Sequence, residues 1–129
     1  MYNLFSIAAG GALGAVSRYL VSRAISAGGS RSGAVLFPWG TFAVNMTGCF
    51  LIGLVAVLAE KTEMDPRLRS FVSVGFLGAF TTFSTFSLET LNLLKDGEFA
   101  LAFSNAGLSL VLGLAACLAG MTAGKALVK

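Results

Sequence analysis

Seven consecutive residues near the middle of the chain, Thr81, Thr82, Phe83, Ser84, Thr85, Phe86 and Ser87, carry five hydroxyl groups and two aromatic rings. They lie in an uncharged stretch, with Gly75 and Gly78 just before them and Glu89 just after. A hydroxyl donates hydrogen bonds, and the edge of an aromatic ring is electropositive although its face is negative. Such a set can solvate a small anion without trapping it, as conduction requires. Thr41, Asn45 and Ser109 add neutral polar groups inside other apolar stretches. Taken singly, any Ser, Thr or Asn serves equally well as glue between helices. The crowding of hydroxyls into residues 81–87 is what favours function over glue. Phe83 and Phe86 stand three apart and share a face if their segment is helical, a spacing that ordinary packing also produces.

Other chemistries find little to work with. Glu89 is the one carboxylate inside an apolar stretch, whereas coupled transporters and proton pumps depend on such groups. No nucleophile–base pair, metal-ligand cluster or phosphate-binding glycine loop occurs, and there is no histidine for zinc or a proton relay. Cys49 and Cys117 sit in apolar segments without a CxxC spacing and read as small packing residues. Neither an enzyme nor a nucleic-acid partner is expected.

These residues must be positioned by elements suited to lipid. Of the 129 residues, 56% are hydrophobic and only 12% charged, with a mean hydropathy of +0.83. A soluble domain carries about 25% charge, so too little polar surface exists to cover this chain in water. A helix needs roughly 20 apolar residues to cross the hydrocarbon core. The pattern predicts an all-α integral membrane protein of four transmembrane helices, over about residues 3–25, 40–59, 69–95 and 99–127, in a single domain covering residues 1–129. A cleaved signal peptide is not expected, because the start lacks a basic n-region. Gly10, Gly11 and Gly14 in the first span permit close helix contact, and Arg18 near its far end either snorkels or pairs with something functional. Residues 26–37 read as a loop, with Pro38 and Trp39 at the start of the second span, where prolines and interfacial aromatics belong.

The third span is the irregular one. Glycine weakens a helix and hydroxyl side chains compete for its backbone bonds, which predicts a break near residues 78–82. Non-helical backbone at membrane depth survives only when buried in protein or facing a wet cavity, which marks this segment as the functional centre. Carbonyls freed by such a break could hold a small cation.

Charge gives almost no orientation. Lys61, Arg67, Arg69, Lys125 and Lys129 fall on one side of a four-span arrangement, and Arg18, Arg23, Arg31 and Lys95 on or near the other. Positive charge normally concentrates in cytoplasmic loops. A near-even split has two readings: one strong determinant overrides the count, or copies insert both ways and pair antiparallel, making between chains an inverted repeat.

At this point the sequence resembles the Fluc (CrcB-type) fluoride channels. The resemblance rests on GFLGAFTTFSTFSLE at residues 75–89, on Gly10, Gly11, Gly14, Arg18 and Tyr19 in the first span, and on Pro38, Trp39, Gly40, Thr41 and Asn45 in the second. It covers essentially the whole chain. It implies a dual-topology antiparallel homodimer in the bacterial plasma or inner membrane, with two pores lined by both subunits and passive export of fluoride. By that likeness Phe83 and Phe86 are the pore phenylalanines, Asn45 positions or solvates the ion, and Thr41 and Ser109 lie beside the pore. Gly78 and Thr81 would offer backbone carbonyls to a structural sodium ion at the dimer axis, and Arg18 matches a first-span arginine with a structural or vestibule role. Ala79 stands where a second glycine is common. Asn105 and Gly113 stand where some relatives place a tyrosine and a second serine, which puts the composition of the fourth helix's polar track in question. Some relatives pair non-identical subunits, whereas the even charge count here favours a homodimer.

Three rivals fit less well. A small multidrug exporter needs a buried glutamate in the first span, and none is there. A cation channel would carry acidic rings at its mouth, yet Glu60, Glu63, Asp65, Asp96 and Glu98 all sit at predicted loops. A non-transporting membrane subunit leaves the hydroxyl-rich third span unexplained.

Overall fold

The computed structural model describes residues 2–27 and 37–128. Residues 28–36 of the expected 26–37 loop, Arg31 included, lie outside the described residues, as does Lys129. Four helical stretches among the described residues are long and apolar enough to cross a membrane: Asn3–Ser26, Trp39–Lys61, Pro66–Lys95 and Phe99–Leu127.

The first is α1, Tyr2–Ser26. The second, α2, covers Trp39–Lys61 and follows Pro38; the Phe37, Trp39 and Phe42 rings cluster at its start with centroids 4.6–5.9 Å apart. It runs two residues past the expected end at 59, to Lys61. The third begins at α3, Pro66–Arg69, rather than at 69. Asp65 caps it there, its Oδ1 accepting from the Arg67 N–H at 2.8 Å and the Leu68 N–H at 3.3 Å, with Pro66 at the position where its missing N–H costs nothing.

The third stretch then changes character. Ser70–Leu77 is a π-helix of eight residues, a wider winding that is rare and concentrates at functional sites. A short α4, Gly78–Phe80, follows. Thr81 (φ −78°, ψ 158°) and Thr82 (φ −151°, ψ 114°) then have extended backbone. α5, Phe83–Lys95, starts from the Thr82 side chain, whose Oγ1 accepts from the Thr85 N–H at 3.2 Å. A tight turn with Gly97 at φ +79° leads into α6, Phe99–Leu127.

Packing pairs α1 along the π segment and α2 along α6. Lipid tails are as apolar as leucine, so contact between helices relies on small residues and close backbone approach. Gly10 and Gly14 of α1 supply this against the π segment, where a Cβ on either would strike the backbone of Phe71, Gly75 or Phe76. Gly53 and Gly120 do the same between α2 and α6, against the backbone of Cys117 and Phe50. The buried apolar core is accordingly small, with Val44, Val57, Leu77, Phe80, Leu93 and Ala102 among its members. Large apolar side chains such as Leu4, Phe5, Phe103 and Leu114 face outward, as a lipid-embedded surface requires.

Candidate functional site

The two extended residues, Thr81 and Thr82, organise everything around them. An extended pair inside an apolar span exposes peptide groups that a helix would satisfy, and lipid offers no replacement. The neighbouring helices supply one. Asn45 of α2 clasps Thr82 through both of its backbone polar groups: its Nδ2 donates to the Thr82 carbonyl at 3.0 Å, and its Oδ1 accepts from the Thr82 N–H at 2.8 Å. One turn further along α2, Gly48 leaves the space that the Thr81 methyl group fills. From the other side, Arg18 of α1 directs Nη1 to the Thr81 carbonyl at 3.4 Å. Side chains 37 and 63 residues away in sequence thus hold a two-residue deviation in place.

The hydroxyl run has its own order. Thr82 Oγ1 donates to Thr85 Oγ1 at 3.0 Å and lies 3.3 Å from Ser84 Oγ. Ser87 donates to the Phe83 carbonyl at 2.9 Å, bonding back along the helix as hydroxyls there commonly do. The Phe83 and Phe86 rings lie 5.5 Å apart at 42°, within the range of favourable aromatic pairs. Phe83 is 79% exposed, while Phe86 is half-buried.

Beside the pair runs a groove of about 460 Å³. Asn45, Gly78, Thr81, Phe83, Phe86 and Ser109 all line it, and no charged residue does. Six of the eight residues singled out from the sequence therefore meet in one place, contributed by α2, the third stretch and α6. Ser73 of the π segment and Thr82 join them; Ser73 carries no signal in the sequence that would set it apart. Arg18 and Thr41 stand outside the lining. Arg18 reaches the site through the Thr81 carbonyl. Thr41, buried, donates instead to Glu89 Oε1 at 2.8 Å.

That contact brings forward Glu89. Its Oε2 is buried with no hydrogen-bond partner among the described residues, so Thr41 is what satisfies the carboxyl group there. A signal was present in the sequence, since Glu89 is the sole acid within a span, but a partner 48 residues away has no local signature. Replacing Thr41 with valine should lower thermal stability by about 1–3 kcal/mol, the cost of stranding a buried acceptor. A melting curve followed by size-exclusion elution in detergent checks this, and an unchanged midpoint would remove the bond's importance.

The chemistry open to this arrangement is recognition by neutral donors. Hydroxyls, an amide and two aromatic rings line one cavity with no carboxylate or histidine among them.

A family model described as CrcB-like protein, Camphor Resistance (CrcB), matches residues 5–121. The chain is 49% identical over 125 residues to the fluoride-specific ion channel FluC of Geobacter sulfurreducens, covering 96% of this chain and 94% of the relative. It is 46% identical over 124 residues to that of Hydrogenovibrio crunogenus, covering 95% and 91%. To that of Maridesulfovibrio salexigens it is 43% identical over 129 residues, covering 99% of each.

Proposed function

The chain belongs to the CrcB-like family, and on that premise we propose that it is a fluoride channel formed by an antiparallel homodimer, with two pores lined by both subunits. Its family makes it an ion channel rather than an enzyme, and a multi-pass protein of the bacterial membrane. The observation that carries the proposal is the uncharged groove in which the Phe83 and Phe86 rings meet hydroxyl and amide groups from three spans.

Fluoride holds its water tightly, so a pore must replace that shell with donors as the ion sheds it. Ser109, the free hydroxyl capacity around Thr82 and the ring edges of Phe83 and Phe86 supply weak, successive donors. Asn45 spends one N–H and its carbonyl on Thr82, so its first duty is to hold the groove's shape, with one N–H left for the ion. Without a carboxylate in the lining, no proton is coupled to passage. Flow is then passive, and an interior-negative potential drives an anion outward by about 2.3 kcal/mol per 100 mV. Cytoplasmic fluoride falls as a result.

Two features support a dimer. Phe83, a groove-lining residue, is 79% exposed on a single chain, so a second surface is needed to close the path. Among the described residues, Arg18, Arg23 and Lys95 lie on or near one side and Lys61, Arg67, Arg69 and Lys125 on the other, a modest difference that would let copies insert both ways.

The interrupted third helix also suits a structural sodium ion. The Thr82 N–H donates to Asn45 and the Thr85 N–H to Thr82 Oγ1. These are the donors that would close helical bonds to the Gly78 and Thr81 carbonyls. Both carbonyls are therefore released. A carbonyl has two lone pairs, so the Arg18 contact leaves one on Thr81, and Gly78 is exposed, as a group shared with a second subunit would be. These oxygens would hold sodium, whose charge would tie the two subunits together at the breaks.

Planar-bilayer recording tests the proposal. Current should reverse at the fluoride equilibrium potential and ignore chloride and proton gradients. Phe86→Ile should lower it about tenfold, the scale of one aromatic contact, with dimer elution unchanged. A reversal potential that tracks chloride, or full current in Phe86→Ile, would refute it.

A further inference from the structure

α5 and α6 form an antiparallel hairpin across the turn at Gly97, where the Glu98 N–H donates to the Leu93 carbonyl at 2.9 Å. Asn105 of α6 is 1% exposed and its Nδ2 donates to Thr90 Oγ1 of α5 at 2.8 Å. The Thr90 hydroxyl in turn donates to the Phe86 carbonyl at 2.7 Å. With its proton spent on Phe86, that hydroxyl meets Asn105 only as an acceptor, so the chain from amide to hydroxyl to carbonyl has one direction. It is the one hydrogen bond joining side chains of α5 and α6 among the described residues. The register that pairs 90 with 105 puts Leu93 level with Ala102, both buried. One turn the other way it puts Phe86 level with Ser109, both lining the groove. Thr90 and Asn105 do not themselves line it.

We propose that Thr90 and Asn105 are a positioning pair, fixing the register at which Phe86 and Ser109 face one another across the groove. An apolar seam between two helices in lipid is free to slide or rotate, because leucine against leucine and leucine against lipid are nearly equivalent. A single directional bond next to the groove removes that freedom. Asn105 thus occupies a fourth-helix position as an inward anchor rather than as part of the ion's path.

The flux readout of the test rests on the fluoride reading; a second readout does not. Thr90→Val removes the hydroxyl at nearly constant shape, Thr90→Ser keeps it, and Asn105→Leu leaves the Thr90 hydroxyl still bonded to Phe86. Fluoride efflux should fall roughly three- to fifteenfold in Thr90→Val and in Asn105→Leu, the span of one interhelical hydrogen bond in lipid. The double variant should be no slower than the worse single, and Thr90→Ser should match the parent. In parallel, cysteines at 86 and 109, in a background with Cys49→Ser and Cys117→Ser, are bridged by a short bis-thiol reagent in liposomes. Bridging yield should drop with Thr90→Val and hold with Thr90→Ser. Unchanged bridging in Thr90→Val and Asn105→Leu, or an equal loss in Thr90→Ser, would overturn the proposal. Bridging that obeys the prediction in a protein that passes no fluoride would uphold the positioning role and sink the fluoride reading alone.

Discussion

Asn45→Leu should reduce fluoride efflux to the level of protein-free liposomes. Leucine fills nearly the same volume, so the change removes two hydrogen bonds and little else: those from the Asn45 amide to the Thr82 carbonyl and N–H. Each backbone group stranded at membrane depth costs on the order of 1–3 kcal/mol, and lipid supplies no substitute. The cheapest repair is for Thr82 to turn helical, returning its N–H to the Gly78 carbonyl. That repair rotates α5 relative to α4, because each residue taken into a helix turns the chain by about 100°. Phe83 and Phe86 then leave the groove. The same step consumes the Gly78 carbonyl proposed for sodium, so the dimer should also dissociate more readily in low-sodium buffer. Taken together, the two stranded groups predict a loss of roughly 100-fold or more in flux. Asn45→Asp tests the donor alone, since it retains an acceptor for the Thr82 N–H, and should fail as well. Efflux from Asn45→Leu within twofold of the parent would show that the clasp on Thr82 does not shape the path.

The second large effect concerns assembly rather than passage. Gly14→Ala should yield little folded protein. The added Cβ would meet the carbonyl oxygen of Phe76 and stand 2.9 Å from its carbonyl carbon and 3.1 Å from its Cα. All three are backbone atoms, so no rotamer change relieves the clash and α1 must move away from the π segment. Overpacking of this kind costs about 1–3 kcal/mol or more, and the displaced helix also carries Arg18 away from the Thr81 carbonyl. Gly107 is the control, with nothing within 4 Å of an added Cβ. Gly107→Ala should be neutral or stabilise α6 by about 0.5–1 kcal/mol through lower backbone entropy. Thermal midpoints of the detergent-solubilised variants, read by elution of intact protein, check both. A Gly14→Ala protein that melts with the parent would mean that α1 and the π segment are less closely seated than this geometry has them.

Physical reasons separate what a linear reading reaches from what it misses. Apolar stretches of spanning length declare themselves through composition, which is local. Asp65 followed by Pro66 is likewise a local helix-start signal, and the third stretch begins there, three residues before the hydropathy pattern alone placed it. The hydroxyl run with its preceding glycines pointed to irregular backbone around residues 78–82, and the extended residues are Thr81 and Thr82, with Gly78 still helical (φ −63°, ψ −33°). That refinement was out of reach because the competing donor is Asn45, which a sequence shows only as a polar residue in another span. The π winding of Ser70–Leu77 has no local signature either; its wider turn accompanies the close seat that Gly10 and Gly14 offer on α1. The Thr41 hydroxyl is committed to Glu89, a partner that no local pattern shows. Asn105, conspicuous as a substituted position, gains its meaning only from Thr90, fifteen residues away across a turn. Long-range hydrogen bonds, then, are what the chain encodes without displaying.

Fluoride release from liposomes reconstituted with the purified protein, read by a fluoride electrode with chloride release monitored in parallel, is the most direct test of the neutral, donor-lined groove as an anion path. Rapid loss of fluoride with chloride retained is the expected result. Retention of both ions by liposomes that contain intact, folded protein would contradict it.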